Sequence, residues 1–131
     1  MSNTLPPDTR LLLIDDHQIY LDGLSLTLSS LCEGVQLDHA HNAAEALQQV
    51  SEHPYDLILL DLQLPDSSGL ALLQKLRAAD AMAPIAILTA SNSPSDLDAA
   101  LQLGAAGFIS KTADGATLLQ AVTQLLYGAQ V

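Results

Sequence analysis

Asp56-Leu57-Ile58-Leu59-Leu60-Asp61-Leu62-Gln63-Leu64-Pro65-Asp66-Ser67-Ser68-Gly69 is the stretch on which the fold turns. Its apolar run is short and unbroken by polar positions, as in a strand buried on both faces, and the strand is placed at Asp56–Leu60. Pro65 and Gly69 shape the loop that follows, and a helix-periodic stretch, Gly69–Ala79, comes next. The same order of short apolar run, polar or Gly/Pro joint and longer helical stretch recurs in both directions along the chain. It predicts strands at Leu11–Ile14, Val35–Ala40, Ile85–Leu88 and Gly107–Ser110, and helices at Gln18–Leu31, Ala43–Glu52, Ser95–Leu103 and Gly115–Tyr127. Five βα units of this kind make an α/β protein with a parallel sheet covered by helices on both faces.

The joints agree with these boundaries. Asn42 before Ala43-Ala44-Glu45 is a good helix N-cap with an acid in the first turn, and Ser93-Pro94-Ser95-Asp96 opens a helix in the same style. Pro84 precedes the fourth strand, and Gly104 and Gly107 bracket the connection into the fifth. Residues 1–10 are expected to be a flexible tail and residues 11–131 a single domain, with no linker and no recognisable helix-turn-helix or zinc-finger segment.

The chain has 131 residues, and a domain of that size buries roughly 68% of its unfolded surface, so it needs neither disulfides nor a structural metal. Apolar residues are 49% and aromatics 3%, which favours helices packed by leucine and alanine. Fifteen acids against four bases give a net charge of −11, excluding nucleic acid and anionic membrane as partners held by the domain's own field. The longest apolar runs fall far short of the ~20 residues that span a bilayer. Pro6-Pro7-Asp8 stands where a signal peptide needs its apolar stretch, so a cytoplasmic protein is expected. The single cysteine, Cys32, reads as a small core hydrophobe.

In open parallel sheets ligands bind beyond the carboxyl ends of the strands. Asp15 and Asp16 follow the first strand, Asp61 the third, Thr89 the fourth and Lys111 the fifth. If the first and third strands are neighbours, about 5 Å apart, the three acids converge. Converging carboxylates need a nearby cation to stay ionised, and Mg²⁺ suits hard oxygen donors; Zn²⁺ does not, as neither cysteine nor paired histidines stand among these positions. A carboxylate facing a metal, a hydroxyl and a lysine is a reasonable phosphoryl acceptor.

Four segments carry a family resemblance: Leu12-Leu13-Ile14-Asp15-Asp16-His17, the stretch from Asp56 to Gly69, Ile87-Leu88-Thr89-Ala90, and Gly104 to Lys111. In this order and spacing they resemble the receiver domains of two-component response regulators, the CheY-like family, over about Leu11 to Tyr127. Asp15-Asp16-His17 with Leu21-Asp22-Gly23-Leu24 is most similar to the NarL/FixJ subgroup, which carries a LuxR-type helix-turn-helix output. The resemblance implies a doubly wound, flavodoxin-like (βα)5 fold with strand order 2-1-3-4-5. Asp61 would then be the phosphoacceptor, charged by a sensor histidine kinase. Mg²⁺ would be held by Asp16, Asp61 and the backbone carbonyl of Gln63, with Asp15 acting through a water. Lys111 would pair with the phosphoryl oxygens, Thr89 and Phe108 would form the switch, and Gln63 and Ser91 would tune hydrolysis. Phosphorylation-dependent homodimerisation and a transcriptional output through a DNA-binding domain absent from this chain would follow. A stand-alone receiver in a phosphorelay is the alternative.

Several positions qualify this reading. Thr112 follows Lys111 where many receivers have a cis proline, and a cis bond before a non-proline residue costs ~2.5–4 kcal/mol. A haloacid-dehalogenase-like enzyme needs an aspartate two residues after its nucleophile, where Gln63 stands, so the domain is expected to be a phosphoacceptor and not an enzyme acting on external esters. An FMN phosphate site is disfavoured by Asp15 and Asp16 after the first strand. His39 and His41 lack a third metal ligand, His17 reads as a rim residue, and His53 as a helix-end residue.

Overall fold

The computed structural model describes residues 9–31, 34–79, 83–90 and 93–126. Ser91, Cys32 and Tyr127, and all of the expected tail but Thr9 and Arg10, lie outside them. The elements alternate throughout: β1 (Arg10–Ile14), α1 (Gln18–Leu31), β2 (Gln36–Ala40), α2 (Ala43–Glu52), β3 (Leu57–Asp61), α3 (Gly69–Ala79), β4 (Ile85–Thr89), α4 (Pro94–Gln102), β5 (Gly107–Ser110) and α5 (Gly115–Leu126). All pairings are parallel, in the order β2-β1-β3-β4-β5. The fold is the expected five-stranded, flavodoxin-like α/β architecture.

Side chains alternate across a strand, and here both faces are buried. Leu11, Leu13, Leu57, Leu59, Ala86, Leu88 and Ile109 point to the side covered by α1 and α5. Leu12, Ile14, Ile58, Leu60, Ile85 and Ile87 point to the side covered by α2, α3 and α4. The central strands therefore carry unbroken apolar runs, because neither face meets water.

Asn42 caps α2 by accepting from the Glu45 N–H, and Ser93 caps α4 by accepting from Asp96 N–H. Several element ends lie one residue from expectation, among them the start of β2 at Gln36, the end of β4 at Thr89 and both ends of α4, at Pro94 and Gln102; two other shifts move Arg10 and Asp61. Arg10, assigned by sequence to the tail, is the first residue of β1, and Thr9 beside it is buried. The strand begins early because Arg10 is pinned: its N–H donates to Asp56 Oδ2 at 2.9 Å, and its guanidinium meets Asp38 Oδ2 at 2.9 Å. Asp61 lies inside β3, paired with Leu88, instead of after it. The described residues contain no cis peptide bond, so the loop from Lys111 to Thr112 is built on a trans bond.

Candidate functional site

The register of β1 on β3 pairs Ile14 with Leu60, so the next residues, Asp15 and Asp61, emerge side by side at the carboxyl edge. Asp15 is fully buried and Asp61 nearly so. Lys111, on the turn after β5, spans the gap: its Nζ lies 2.6 Å from Asp15 Oδ2 and 3.0 Å from Asp61 Oδ2. The Lys111 N–H donates to the Thr89 carbonyl at 2.8 Å, tying the ends of β4 and β5 together at the site. Asp61 Oδ1 accepts from the Gln63 N–H at 3.0 Å, and Asp15 Oδ1 from the His17 N–H at 3.0 Å.

These contacts give the two buried acids different characters. Burial pushes Asp15 up, but Lys111 and the two His17 groups that bond it together outweigh burial and hold its carboxyl below the usual range. Burial also pushes Asp61 up; the Gln63 N–H and Lys111 oppose this, the Asp15 charge adds to it, and the net direction is upward. For Lys111, burial opposes the charge, yet Asp15 and Asp61 hold its ammonium more firmly than usual. Paired carboxylates with environments that push them apart take different chemical roles. Asp15 is the fixed anion of the pair and Asp61 the more basic oxygen.

Asp15, Asp16, His17 and Asp61 each place one donor atom within 4.8 Å of the others. Asp15 Oδ2 is buried with no aligned hydrogen bond, its close neighbour being the Lys111 ammonium. A set of carboxylate oxygens at this spacing fits a hard divalent cation.

The remaining sequence-expected residues fall as follows. Thr89 ends β4, half-buried, opposite Ser110 of β5. Phe108, on β5, is half-buried against the α2–α4 side of the core. Gln63 has an exposed side chain and joins the loop through a bridge to Ser68. His39 and His41 are not brought together as metal ligands: His39 Nε2 lies 2.6 Å from Ser25 Oγ, and His41 contacts Glu45 and Gln18. His53 packs edge-on against Tyr55.

Three residues were missed. His17 is more than a rim residue, since its Nδ1 lies 2.8 Å from Asp15 and 3.2 Å from Asp16; its signal was adjacency to the acid pair. Tyr20 places its ring 4.9 Å from Lys111 Nζ, a cation–π contact whose only sequence signal was a position in the first turn of α1. Asp66, in the loop after β3, accepts from the Ala43 and Ala44 N–H groups at the start of α2. Nothing local in the sequence linked it to that helix.

Known proteins resemble this chain in sequence and fold. The response regulator receiver domain pattern matches residues 11–123. The nitrate/nitrite response regulator protein NarL of Escherichia coli (strain K12) is 34% identical over 131 residues, 100% of this chain and 60% of NarL. The transcriptional regulatory protein PmrA of Pectobacterium parmentieri is 38% identical over 102 residues, 78% of this chain and 45% of PmrA. The chain thus spans 60% or less of these relatives' length. Among solved structures, a LuxR-family two-component response regulator from Aurantimonas sp. SI85-9A1 has a TM-score of 0.85 at 30% identity, over 94% of this chain and 88% of that one. A CheY-like receiver domain protein from Methanospirillum hungatei JF-1 also scores 0.85, at 28% identity, over 92% of this chain and 94% of its own.

Proposed function

Because this chain belongs to the response regulator receiver domain family of two-component systems, we propose that Asp61 accepts a phosphoryl group from a sensor histidine kinase and that the modified domain controls a transcriptional output. The observation that carries this is the Lys111 bridge: one ammonium holds both buried carboxylates, at 2.6 and 3.0 Å. It leaves the more basic one, Asp61, fixed by the Gln63 N–H with its oxygens at the carboxyl edge of the sheet.

Asp16, Asp61 and the Gln63 carbonyl would hold Mg²⁺, with Asp15 acting through a water. The ion's chemistry is to neutralise charge on the phosphoryl oxygens. Asp61 supplies the attacking oxygen, forming a new O–P bond as the bond from phosphorus to the donor's imidazole nitrogen breaks. Lys111 exchanges part of its hold on Asp61 for the incoming phosphoryl oxygens. Phosphorylation adds charge of roughly −1.5 to −2 and strong acceptor oxygens. Thr89 donates its hydroxyl to them, and Phe108 follows Thr89 inward, reshaping the α4–β5–α5 face on which homodimers would form. Gln63 and Ser91 set access of water to the acyl phosphate. The domain acts on itself and turns over no external ester, and its setting would be cytoplasmic; no helix among the described residues is long and apolar enough to cross a membrane.

DNA binding would reside in a segment outside this chain, as the share of NarL and PmrA left unmatched suggests. A second reading is a receiver in a phosphorelay with no DNA target. The sequence encoded beyond Val131 separates the two.

The test is incubation with acetyl phosphate, with and without Mg²⁺, followed by intact mass. A mono-phosphoryl adduct that requires Mg²⁺ and is absent from Asp61→Asn is expected. An adduct that persists in Asp61→Asn, or none under any condition, refutes the acceptor assignment. In the same assay Thr89→Ala keeps the adduct but loses any adduct-dependent dimerisation.

A further inference from the structure

We propose that His17 is itself a metal ligand and tilts this site's preference from Mg²⁺ toward borderline first-row ions such as Ni²⁺. The inference rests on reading the acidic cluster as a divalent cation site and adds the nitrogen donor that decides which cation it selects.

The argument is geometric. Ligands ~2.1 Å from an octahedral ion lie about 3.0 Å apart when adjacent and about 4.2 Å apart when opposite. His17 Nδ1 lies 2.8 Å from Asp15 Oδ1, 3.2 Å from Asp16 Oδ1 and 4.0 Å from Asp61 Oδ2. The separation to Asp16 suits adjacent positions around one ion and that to Asp61 an opposite one, while Asp15, which acts through a water, holds the ring beside them. The ring is held over the cluster from its own backbone, since the His17 N–H also donates to Asp15 Oδ1.

An ionised carboxylate only accepts, so Nδ1 donates its hydrogen to Asp15. Ligation requires that hydrogen to leave Nδ1, giving the tautomer protonated at Nε2. The His17 side chain is 62% exposed, so solvent can take up and return it. Lys111 is the other nitrogen side chain that reaches these carboxylates among the described residues, and as an ammonium it has no lone pair to give. Imidazole nitrogen suits zinc, copper, iron and nickel, whereas magnesium keeps to oxygen and water. A site with His17 present is therefore biased up the first-row series relative to one built of carboxylates alone.

The test uses the full chain with Mg²⁺, Mn²⁺ and Ni²⁺ as probes. Calorimetric titration gives each affinity and shows whether Mg²⁺ competes with Ni²⁺; electron spin echo modulation on the Mn²⁺ complex reads nitrogen bound to the metal. The expected results are a directly bound nitrogen in the wild type, its loss in His17→Ala and His17→Gln, and a ratio of Ni²⁺ to Mg²⁺ affinity lower by at least about tenfold in both variants. Even an outer-shell partner of a ligand is typically worth that much. A nitrogen signal that survives His17→Ala, or an unchanged ratio in variants that bind Mg²⁺ competitively, overturns the His17 assignment and leaves the cation site standing. A wild type that binds Mg²⁺ and Ni²⁺ at no shared site, or binds them equally after Asp16→Asn, overturns the cation site and this inference with it.

Discussion

Replacing Lys111 by methionine keeps an unbranched, flexible side chain and removes the charge that holds Asp15 and Asp61. Its consequence can be worked from three distances. At an effective dielectric of about 20, a unit charge pair at the 3.0 Å of the Asp61 contact attracts by about 5.5 kcal/mol, and the Asp15 contact is shorter. Carboxylate oxygens held at 2.6 and 3.0 Å from one nitrogen are no more than about 5.6 Å apart, so once the ammonium is gone they repel by at least about 3 kcal/mol. The full sum is never reached, because either carboxyl can escape by taking a proton. From an ordinary value near 3.9, that costs about 4 kcal/mol at pH 7. Lys111→Met is therefore expected to lose about 4 kcal/mol at pH 7, in line with the ~3–5 kcal/mol typical of a stranded buried charge and a large part of the ~5–15 kcal/mol that holds a domain together.

The pH dependence separates this account from lost packing. Between pH 7 and about 4 the folded variant binds one proton more than its unfolded chain, so its stability rises by about 1.4 kcal/mol for each unit of fall in pH. In the wild type Asp15 sits below its ordinary value, so its contribution is full above the unfolded carboxyl value and fades as pH falls through the folded one, while Asp61, held above its ordinary value, adds stability as pH falls through its own folded value. The gap between the two proteins therefore narrows from pH 7 to about 4 and closes below that, where Asp15 protonates in the folded wild type. With no tryptophan in the chain, urea unfolding is followed by far-ultraviolet circular dichroism at several pH values. A loss under about 1 kcal/mol at pH 7, the size of an exposed pair, or a loss that does not change with pH, would refute the reasoning.

Two further perturbations test the scaffold. A Cβ on Gly69 would lie 2.3 Å from Leu62 Cα and 2.5 Å from its carbonyl oxygen, whereas Gly23 in α1 has nothing within 4 Å of that position. Thermal unfolding should show Gly69→Ala strongly destabilised and Gly23→Ala stabilised by about 0.5–1 kcal/mol, since alanine is the better helix former. Tyr55 donates to Asp38 Oδ2 at 2.6 Å; burial raises Asp38, but this bond and Arg10 together bring its carboxyl below the usual value. Tyr55→Phe should cost about 1 kcal/mol at pH 7, and the difference should vanish on titration below pH 4 as Asp38 protonates in both proteins.

The five strands and five helices were legible in the sequence because every strand of the centre is apolar on both faces and every joint carries a polar, glycine or proline break. Strand order was not legible from the residues alone; it entered through the family resemblance, since nothing in Leu11–Ile14 says which apolar run lies beside it. Asp15, Asp16, Asp61, Thr89 and Lys111 could be picked out because the carboxyl ends of parallel strands share one edge. The Arg10 pin could not. Its partners, Asp38, Asp56 and Tyr55, whose ring centroid lies 5.7 Å from the guanidinium carbon, are 28 or more residues away along the chain, and only the pairing of β1 with both β2 and β3 brings them to one place. Tyr20 and Asp66 were hidden for the same reason: each acts on a group from another βα unit.

The charges at the site also argue that cation and phosphoryl group are linked. Asp15, Asp16, Asp61 and Lys111 sum to −2, and in the proposed reaction the Asp61 carboxylate becomes an acyl phosphate carrying roughly −2 in place of −1. Without a dication the modified site stands near −3 with two of its acids buried; with one it moves only from 0 to about −1. Each partner must then raise the affinity for the other by the same factor. An imidazole bound to a metal brings no charge of its own, so His17 as a ligand changes none of these sums. Its imidazole can set which cation is chosen while the charge that couples cation to phosphoryl group stays with the three aspartates and Lys111.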